Sequence, residues 1–378
     1  MKNTKNPKPS ILLDTGPLLE VKKSGINLYT EYLAKHLSEE GYDIYGFYFN
    51  FAGRKKINIK SQYPYIKFIE IKHFPGIAIR PIARLFGIQF PIELFLNNKY
   101  DLHLYPNYVS YPSLKKTRQI VVTHDLCFID HPEYLTEKNS EYLNKIMPKV
   151  IKRSDLVVCV SKFTETRVKD VYCSENTCVL TPPVVNHRFS EKKLPKGVVG
   201  KKVILFLGTA EVRKNLETLV EAMQYISNDY SLVISGNKGW KDERLRQKIN
   251  EFASKGVDIV ETGYVSASEK SALFENAHVY VYPSHYEGFG MQIIEAMQHR
   301  TPLALSNIAV FKEIAQDAAV YFNKDNPQDI AKKIVQLIDD DELRKNIVSK
   351  YPRLLEKFSW ENSSKDFLNR INNLWSHT

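Results

Sequence analysis

The chain has 378 residues and a formal net charge of +10, with 43% hydrophobic and 25% charged residues. This length exceeds what one hydrophobic core supports, so we expect two globular domains of ordinary composition. The absence of an apolar run of about 18 residues and of a signal peptide predicts a cytoplasmic protein. Four irregularly spaced cysteines favour reduced thiols over a disulfide framework or a zinc site.

Short strands alternate with amphipathic helices through the first half of the chain. The run SILLDTGPL (10–18) predicts a buried strand and a Gly-Pro turn. Residues 24–41 predict a helix with Ser24 as N-cap and Gly41 at its end. Helices are also predicted at 139–154 and 161–172, and strands at 42–49, 65–71, 101–106, 118–126, 155–161 and 177–183. This alternation predicts a mostly parallel sheet with helices on both faces.

The excess positive charge lies in the first half. Residues 1–190 carry 27 Lys and Arg against 18 Asp and Glu, and 12 of the 27 fall within 54–118 beside only three acidic residues. Apolar and aromatic residues are interleaved with this charge at 73–95. Such a segment suits a polyanion or an anionic membrane surface. The alternative is that its aliphatic residues are core and its basic side is solvated.

A second alternating unit follows a Pro- and Gly-containing stretch without periodicity. Its strands are predicted at 201–208, 230–236, 256–263, 277–284 and 301–306, and its helices at 214–226, 241–254, 267–276, 289–299, 327–338 and within 341–375. We therefore expect an N-terminal domain (1–185), a linker (186–200), a second domain (201–355) and a C-terminal helix crossing back to the first domain (356–378). Ligands are expected in a cleft, beyond the carboxyl ends of the strands.

The first strand of the second unit leads into a basic loop. No GxGxxG or GxxxxGK[ST] motif is present, which disfavours nicotinamide chemistry and P-loop hydrolysis. Instead, GTAEVRKN places Arg213 and Lys214 between Gly208 and the next helix. Two cations at a strand end suit a diphosphate. The alternative is a solvated surface pair.

Two carboxylates flank a permissive turn in PSHYEGFGMQIIEAM (283–297). A helix is expected to begin at about Gly290, so its free amides would point at a ligand. Glu295 lies in an apolar run and needs a hydroxyl or cationic partner, for which a ribose diol would serve. The alternative is that Glu287 stabilises the helix start and Glu295 is solvated.

Together these segments resemble the retaining glycosyltransferases of family four. Their Glu-x7-Glu signature is similar to PSHYEGFGMQIIEAM, and their donor-phosphate loop is similar to GTAEVRKNLETLVEAM. THDL (123–126), VSKFTETRV (160–168) and PPVVNHRF (182–189) match their N-domain and linker patterns. The resemblance implies an α/β protein of the GT-B fold, with two Rossmann-like domains facing across a cleft. It is strongest to bacterial mannosyltransferases and related enzymes of surface-polysaccharide assembly.

The resemblance implies a role for each candidate site residue. Lys214 would bind the donor diphosphate and neutralise the leaving group, with Arg213 as its partner, since Thr209 stands where the family commonly has an arginine. Glu295 would bind the ribose hydroxyls and Glu287 the donor sugar. The implied donor-binding residues are Gly25, Thr209, Arg213, Lys214, Gly288, Phe289, Gly290 and Glu295.

In the N-terminal domain, His124 would face the donor sugar, so the implied catalytic residues are His124, Lys214 and Glu287. Asp125 would orient the His124 ring or cap the next segment. Ser24 and Gly25 stand where the family has two glycines, and the implied acceptor-binding residues are Ser24 and Asp125.

Further departures from the family pattern lie in the signature. Gln292 replaces a common proline, and His299 and Arg300 replace a small residue and a glycine. These three substitutions concern the shape of the helix or of the sugar pocket, and therefore the identity of the sugar.

The resemblance implies transfer of a sugar with retention, from a nucleotide-diphosphate sugar such as GDP-mannose to a glycan or lipid-linked glycan of the O-antigen, capsule or lipopolysaccharide type. Neither a cofactor nor a metal is expected, and the basic segment favours peripheral contact with the inner face of the plasma membrane. A nucleotide-sugar epimerase or a phosphorylase of the same fold is an alternative. A non-catalytic basic module that binds nucleic acid is another, although no nucleic-acid partner is expected.

Overall fold

The structure is a computed structural model that describes residues 8–20, 24–50, 59–72, 89–114, 117–184, 189, 192–237, 239 and 243–376. The chain divides into two compact units. One holds the described residues up to Pro183 together with those from Trp360 onwards, and the other runs from Val184 to Ser359. Within these ranges, none of the helices combines the length and apolarity needed to span a lipid bilayer.

The first unit is built on a seven-stranded sheet in which every neighbouring pair is parallel. Its strands are β1 (Ser10–Asp14), β2 (Asp43–Phe49), β3 (Lys67–Ile71), β4 (Leu102–Tyr105), β5 (Arg118–Thr123), β6 (Leu156–Cys159) and β7 (Thr177–Val179). Their order is β3-β2-β1-β4-β5-β6-β7. The chain winds outward in one direction from β1 and in the other from β4, so these two adjacent strands mark the switch point of this sheet.

The first helix of this unit, α1 (Gly25–Glu39), has the predicted ends. The Ser24 side chain accepts a hydrogen bond from the backbone N–H of Asn27, as expected of an N-cap. Gly41 follows the helix with a φ of +90°, which a residue with a side chain adopts only with strain. Tyr29 and Leu33 are buried on the inner face. The unit continues with α2 (Cys127–Asp130), α3 (Glu137–Arg153) and α4 (Lys162–Tyr172).

The second unit has a six-stranded sheet, also parallel throughout. Its strands are β8 (Lys202–Leu207), β9 (Tyr230–Ser235), β10 (Ile259–Gly263), β11 (Ala277–Tyr282), β12 (Leu303–Ser306) and β13 (Val320–Phe322), in the order β10-β9-β8-β11-β12-β13. Its helices are α5 (Leu216–Ala222), α6 (Glu243–Ser254), α7 (Ala267–Asn276), α8 (Met291–Gln298), α9 (Ala309–Ala315), α10 (Pro327–Asp339), α11 (Asp341–Ser349) and α12 (Tyr351–Lys357). Its switch point lies between β8 and β11.

The last helices, α13 (Trp360–Ser363) and α14 (Lys365–Ser376), belong to the first unit. The Trp360 ring stacks on His36 of α1, with ring centroids 4.5 Å apart. The Tyr42 hydroxyl donates to the side-chain oxygen of Asn372 at 2.9 Å. These contacts fix the chain end to the first sheet unit.

The strands and helices that sequence periodicity did not predict are short. β13 has three residues and α9 has seven, too few to display a reliable period. Part of the basic segment, at 54–58, 73–88, 115 and 116, lies outside the described residues, as do 186–188, 190 and 191 of the expected linker. The described residues 192–200 of that linker contain turns and no strand or helix.

Candidate active site

The predicted donor loops meet at the switch point of the second unit. The loop after β8 carries a short 3-10 helix, Val212–Lys214, and the loop after β11 leads through Gly290 into α8. The backbone N–H of His285 donates to the carbonyl of Arg213 at 2.9 Å and ties the two loops together. Parallel strands end at one edge of the sheet, which brings side chains from distant parts of the sequence together.

Arg213, Lys214 and Glu287 form one buried ionic cluster. The Lys214 Nζ lies 2.5 Å from one carboxylate oxygen of Glu287, and the Arg213 guanidinium lies 2.6 Å from the other. The Ser284 hydroxyl donates to the same carboxylate at 2.9 Å. Lys214 and Glu287 are each 7% exposed. The alternative of a solvated basic pair is therefore wrong, and so is a Glu287 that merely stabilises the helix start.

The cluster keeps Glu287 ionised. Burial alone would raise the pKa of its carboxyl, but Arg213 and Lys214 outweigh burial and lower that pKa to about 2. Burial lowers the pKa of Lys214, and the attraction of Glu287 opposes this. Two cations share one carboxylate, so the trio retains an excess of positive charge. Glu287 cannot supply a proton at neutral pH, whereas the cluster can attract an anion.

The Gly-Phe-Gly turn is shaped by packing behind it. Gly290 has a φ of +130°, and a Cβ there would lie 3.1 Å from the Phe311 ring and 3.2 Å from Ile293, so any other residue would be strained and crowded. The Phe289 ring packs edge-on against Phe358 and is 5% exposed. Of Phe289, only the backbone is left to contact a ligand, and Gly288 and Gly290 flank it in the same buried turn.

Glu295 has a cationic partner that sequence reasoning missed. Its carboxylate is ion-paired with Lys270 of α7, and both side chains are half-buried. Ser266 and Glu269 form a capping box that fixes the start of α7. The partner comes from 25 residues earlier, so no local pattern announces it. Glu295 is therefore ion-paired while its side chain stays partly exposed to solvent.

A cavity of about 280 Å³ adjoins this edge, beside the loop after β8. Its lining includes Gly208, Ile234, Gly236 and Glu261. A side chain at Gly236 would collide with the carbonyl oxygen of Gly208, so glycine allows the two loops to lie in contact. Thr209 follows Gly208 in this loop and is half-buried.

In the first unit, His124 follows β5 and is held by three neighbours. Its Nε2 lies 2.7 Å from the carbonyl oxygen of Pro106, and its ring packs edge-on against Tyr29 and Tyr108. A carbonyl oxygen only accepts hydrogen bonds, so Nε2 carries the proton. Burial lowers the pKa of His124, partly opposed by that hydrogen bond. The neutral ring therefore has an unprotonated Nδ1 that can accept a hydrogen bond.

The other predicted site residues of the first unit are Ser24, Gly25 and Asp125. Ser24 is occupied, since its hydroxyl caps α1 and donates to Glu20 at 2.6 Å. Gly25 is exposed as the first residue of α1, where backbone N–H groups lack intrahelical partners. Asp125 accepts the backbone N–H of Cys127 at 2.9 Å. Asp125 therefore bonds to the start of the segment that follows, and the Nε2 of His124 bonds to Pro106 rather than to Asp125.

Asp14 is a second residue that sequence reasoning missed. It ends β1 at the switch point of the first sheet, and its carboxylate accepts the N–H of Gly16 at 2.9 Å. Burial raises the pKa of Asp14 to about 6, with the hydrogen bond from Gly16 opposing. An acidic residue closing an apolar run was the available sequence signal. Among the described residues no group of three or more His, Cys, Asp or Glu could hold a metal ion.

Two family profiles together match most of the chain. The family described as Glycosyltransferase Family 4 matches residues 23–189. The family described as Glycosyl transferases group 1 matches residues 189–353. The loops that carry Arg213, Lys214 and Glu287 lie within the second match.

Similar proteins and structures agree with these matches. An O-antigen chain mannosyltransferase B of Escherichia coli is 27% identical over 67% of this chain and 69% of its own length. Serotype-specific mannosyltransferase WbdA of Escherichia coli is 25% identical over 69% of this chain, which spans only 35% of that longer protein. A crystal structure of a mutant of S. aureus TarM with fondaparinux, α-GlcNAc-glycerol and UDP has a TM-score of 0.72 at 15% identity, covering 97% of this chain and 100% of TarM. The last likeness shows the fold, that of two Rossmann-like parallel-sheet domains.

Proposed function

The chain belongs to the glycosyltransferases, with a family 4 first half and a group 1 second half, and on this premise we propose that it transfers a sugar from a nucleotide-diphosphate sugar to a glycan acceptor. The observation that carries the proposal is the buried cluster of Arg213, Lys214 and Glu287. A non-catalytic basic module would account for the charge of segment 54–118, but not for a buried Lys214 that is ion-paired with Glu287 at the strand ends.

The cluster suits the charge that develops during transfer. As the bond between the anomeric carbon and the diphosphate breaks, its electron pair goes to a phosphate oxygen. Lys214 and Arg213 would stabilise that oxygen, and because they are already held in place by Glu287 they need little reorganisation. The acceptor oxygen bonds to the anomeric carbon on the face that the phosphate leaves, and the departing phosphate takes the acceptor proton. The product then retains the anomeric configuration, and no metal is required.

Glu287 would act as a fixed acceptor of hydrogen bonds. With a pKa of about 2 it is ionised at every working pH, which excludes a proton-donating role. It would contact donor sugar hydroxyls while it positions the two cations. Backbone amides of the turn from Gly288 to Gly290 would line the same sugar.

The remaining contacts would hold the nucleoside and the reacting sugar. Glu295, fixed by Lys270, would bind the ribose hydroxyls. The cavity of about 280 Å³ would take the base. His124 would accept a hydroxyl hydrogen bond at Nδ1, since Nε2 is committed to Pro106. Gly25, at the start of α1, would offer a backbone N–H to the donor, and acceptor contacts are proposed near Ser24 and Asp125.

The similar proteins support a more specific proposal. They include an O-antigen chain mannosyltransferase and serotype-specific mannosyltransferases, so we propose mannose as the sugar, GDP-mannose as the donor and a surface polysaccharide as the product. A lipid-linked acceptor would place the enzyme at an anionic membrane face, to which the basic segment 54–118 could bind. Sedimentation with anionic vesicles at low salt tests this, and failure to bind contradicts it.

A thermal-shift panel of GDP- and UDP-sugars tests the proposed donor. A ligand that binds the folded chain raises its melting temperature, and we expect GDP-mannose to give the largest rise. Lys214→Met should remove the rise and lower turnover about a hundredfold or more while the chain still folds. Near-normal turnover in that variant would contradict the assignment. Product formed without an acceptor would indicate an epimerase instead.

A further inference from the structure

The hydroxyl of Tyr282 lies between Lys214 and Gln292. Tyr282 ends β11, and its oxygen is 2.6 Å from the Lys214 Nζ. The same oxygen is 3.1 Å from the side-chain oxygen of Gln292 in the first turn of α8. Gln292 is the residue that replaces a proline common in the family. A proline at this position could not make the contact with Tyr282.

The direction of these hydrogen bonds is fixed by chemistry. An ammonium has only donors, so the Tyr282 oxygen accepts from Lys214. The single phenolic proton is then donated to the amide oxygen of Gln292 at 3.1 Å, with the carboxylate of Glu287 as a second acceptor nearby. Burial, to which Glu287 and Tyr280 add and which Arg213 opposes, raises the pKa of Tyr282 well above its usual value, so the phenol keeps this proton. The hydrogen bonds therefore run one way, from Lys214 through Tyr282 to Gln292.

The surroundings hold Tyr282 in place. Its ring is 1% exposed and stacks on Phe311, with centroids 4.8 Å apart. The Lys214 Nζ also lies 4.7 Å from the centroid of the Tyr282 ring. An ammonium has three N–H groups, and Tyr282 and Glu287 take two of them. Because Tyr282 and Glu287 fix two of the N–H bonds of Lys214, they also fix the direction in which its third N–H points.

We propose that Tyr282 and Gln292 are positioning residues that aim the third N–H of Lys214 at the diphosphate of the donor. This inference rests on the proposed function and extends it to Tyr282, to which the family resemblance gives no role, and to Gln292, which departs from the family pattern. It explains why a hydrogen-bond acceptor rather than a proline stands at Gln292 in this chain. It also predicts that the phenol hydroxyl matters for anion binding although it does not touch the ligand.

The test compares two buried tyrosines of the same strand. Tyr282→Phe removes the hydroxyl that contacts Lys214. Tyr280→Phe removes an equally buried hydroxyl that donates to the Leu207 carbonyl at 3.3 Å, so it is the matched control. By calorimetry with GDP and UDP, we expect Tyr282→Phe to weaken binding about tenfold and Tyr280→Phe to leave it within about twofold. Equal affinities in the two variants would overturn the inference.

A second measurement separates positioning from a merely structural effect. Lys214 is faced by Glu287, Arg213, Glu211 and Tyr282, so removing the Tyr282 oxygen leaves its ammonium less stabilised. The alkaline fall of kcat/KM should then move to lower pH in Tyr282→Phe and stay in place in the Tyr280 control. An unmoved alkaline limb in Tyr282→Phe would contradict the inference.

Gln292→Met tests the far end of the hydrogen-bonded chain. It should weaken GDP binding in the native background and have no further effect once Tyr282 is Phe, because Gln292 acts through the phenol. Additive losses would overturn the role given to Gln292. If the unaltered protein binds neither GDP nor UDP, the proposed function itself fails, which is a different result from equal binding by the two tyrosine variants.

Discussion

Replacing Glu287 with glutamine tests the ionic cluster on which the site is built. The variant keeps the size of the side chain and removes the charge shared by Arg213 and Lys214. The lowering of the Glu287 pKa from 4.5 to about 2 corresponds to about 3 kcal/mol of folding stability at pH 7. For a unit of this size the melting temperature should fall by roughly 6–12 °C.

The direction of the Glu287 pKa shift determines how this stabilisation changes with pH. The folded pKa lies below the unfolded one, so the stabilisation is complete above about pH 4.5 and is lost as the pH falls towards 2. Urea unfolding of the native protein and Glu287→Gln should therefore differ by about 3 kcal/mol at pH 7 and by roughly half as much at pH 3. Glu211→Gln is the matched control, because Glu211 lies 3.7 Å from Arg213 but its side chain is 43% exposed. This substitution should lower the free energy of unfolding by less than about 0.5 kcal/mol. Equal, small losses in the two variants at pH 7 would refute the reasoning.

Two further predictions concern the residues that sequence reasoning missed. Lys270→Met removes the cation that holds Glu295. We therefore expect GDP to bind about fivefold more weakly while the binding of pyrophosphate, which has no ribose, is unchanged. Equal losses of affinity for the two ligands would count against a ribose role for Glu295. Asp14→Asn should stabilise the protein at pH 7.5 by about 1–3 kcal/mol, because burial raises the folded pKa to about 6 and penalises the charged form above that pH. The gain should fade by about pH 4, and an unfolding midpoint that does not change at pH 7.5 would contradict it.

Much of the fold is readable from the sequence because each half alternates apolar strands with amphipathic helices. The strand at β1, the cap at Ser24 and the stop at Gly41 follow from local chemistry that acts within a few residues. β13 and α9 were missed because three and seven residues carry too little periodicity. Local patterns placed the division of the helical region 341–375 between 355 and 356, whereas the structure divides it between Ser359 and Trp360.

The site was predictable in its parts but not in its contacts. The loop with Arg213 and Lys214 and the turn with Glu287 were found separately, because strand ends and glycines mark them. Their meeting depends on β8 and β11 being adjacent, which is a property of sheet order and not of spacing. The same reason hid Lys270 and Asp14, whose significance comes from neighbours that local spacing does not show.

The most direct test of the account is transfer itself. The purified protein would be incubated with GDP-mannose, or with UDP-sugars as comparison, and a panel of lipid-tailed glycosides, with and without EDTA. Mass spectrometry and NMR of the product would identify the sugar and its anomeric configuration. We predict mannose transfer with retention that depends on the acceptor, survives EDTA and is lost in Lys214→Met. No transfer from any nucleotide-sugar, or a product with inverted configuration, would contradict the account.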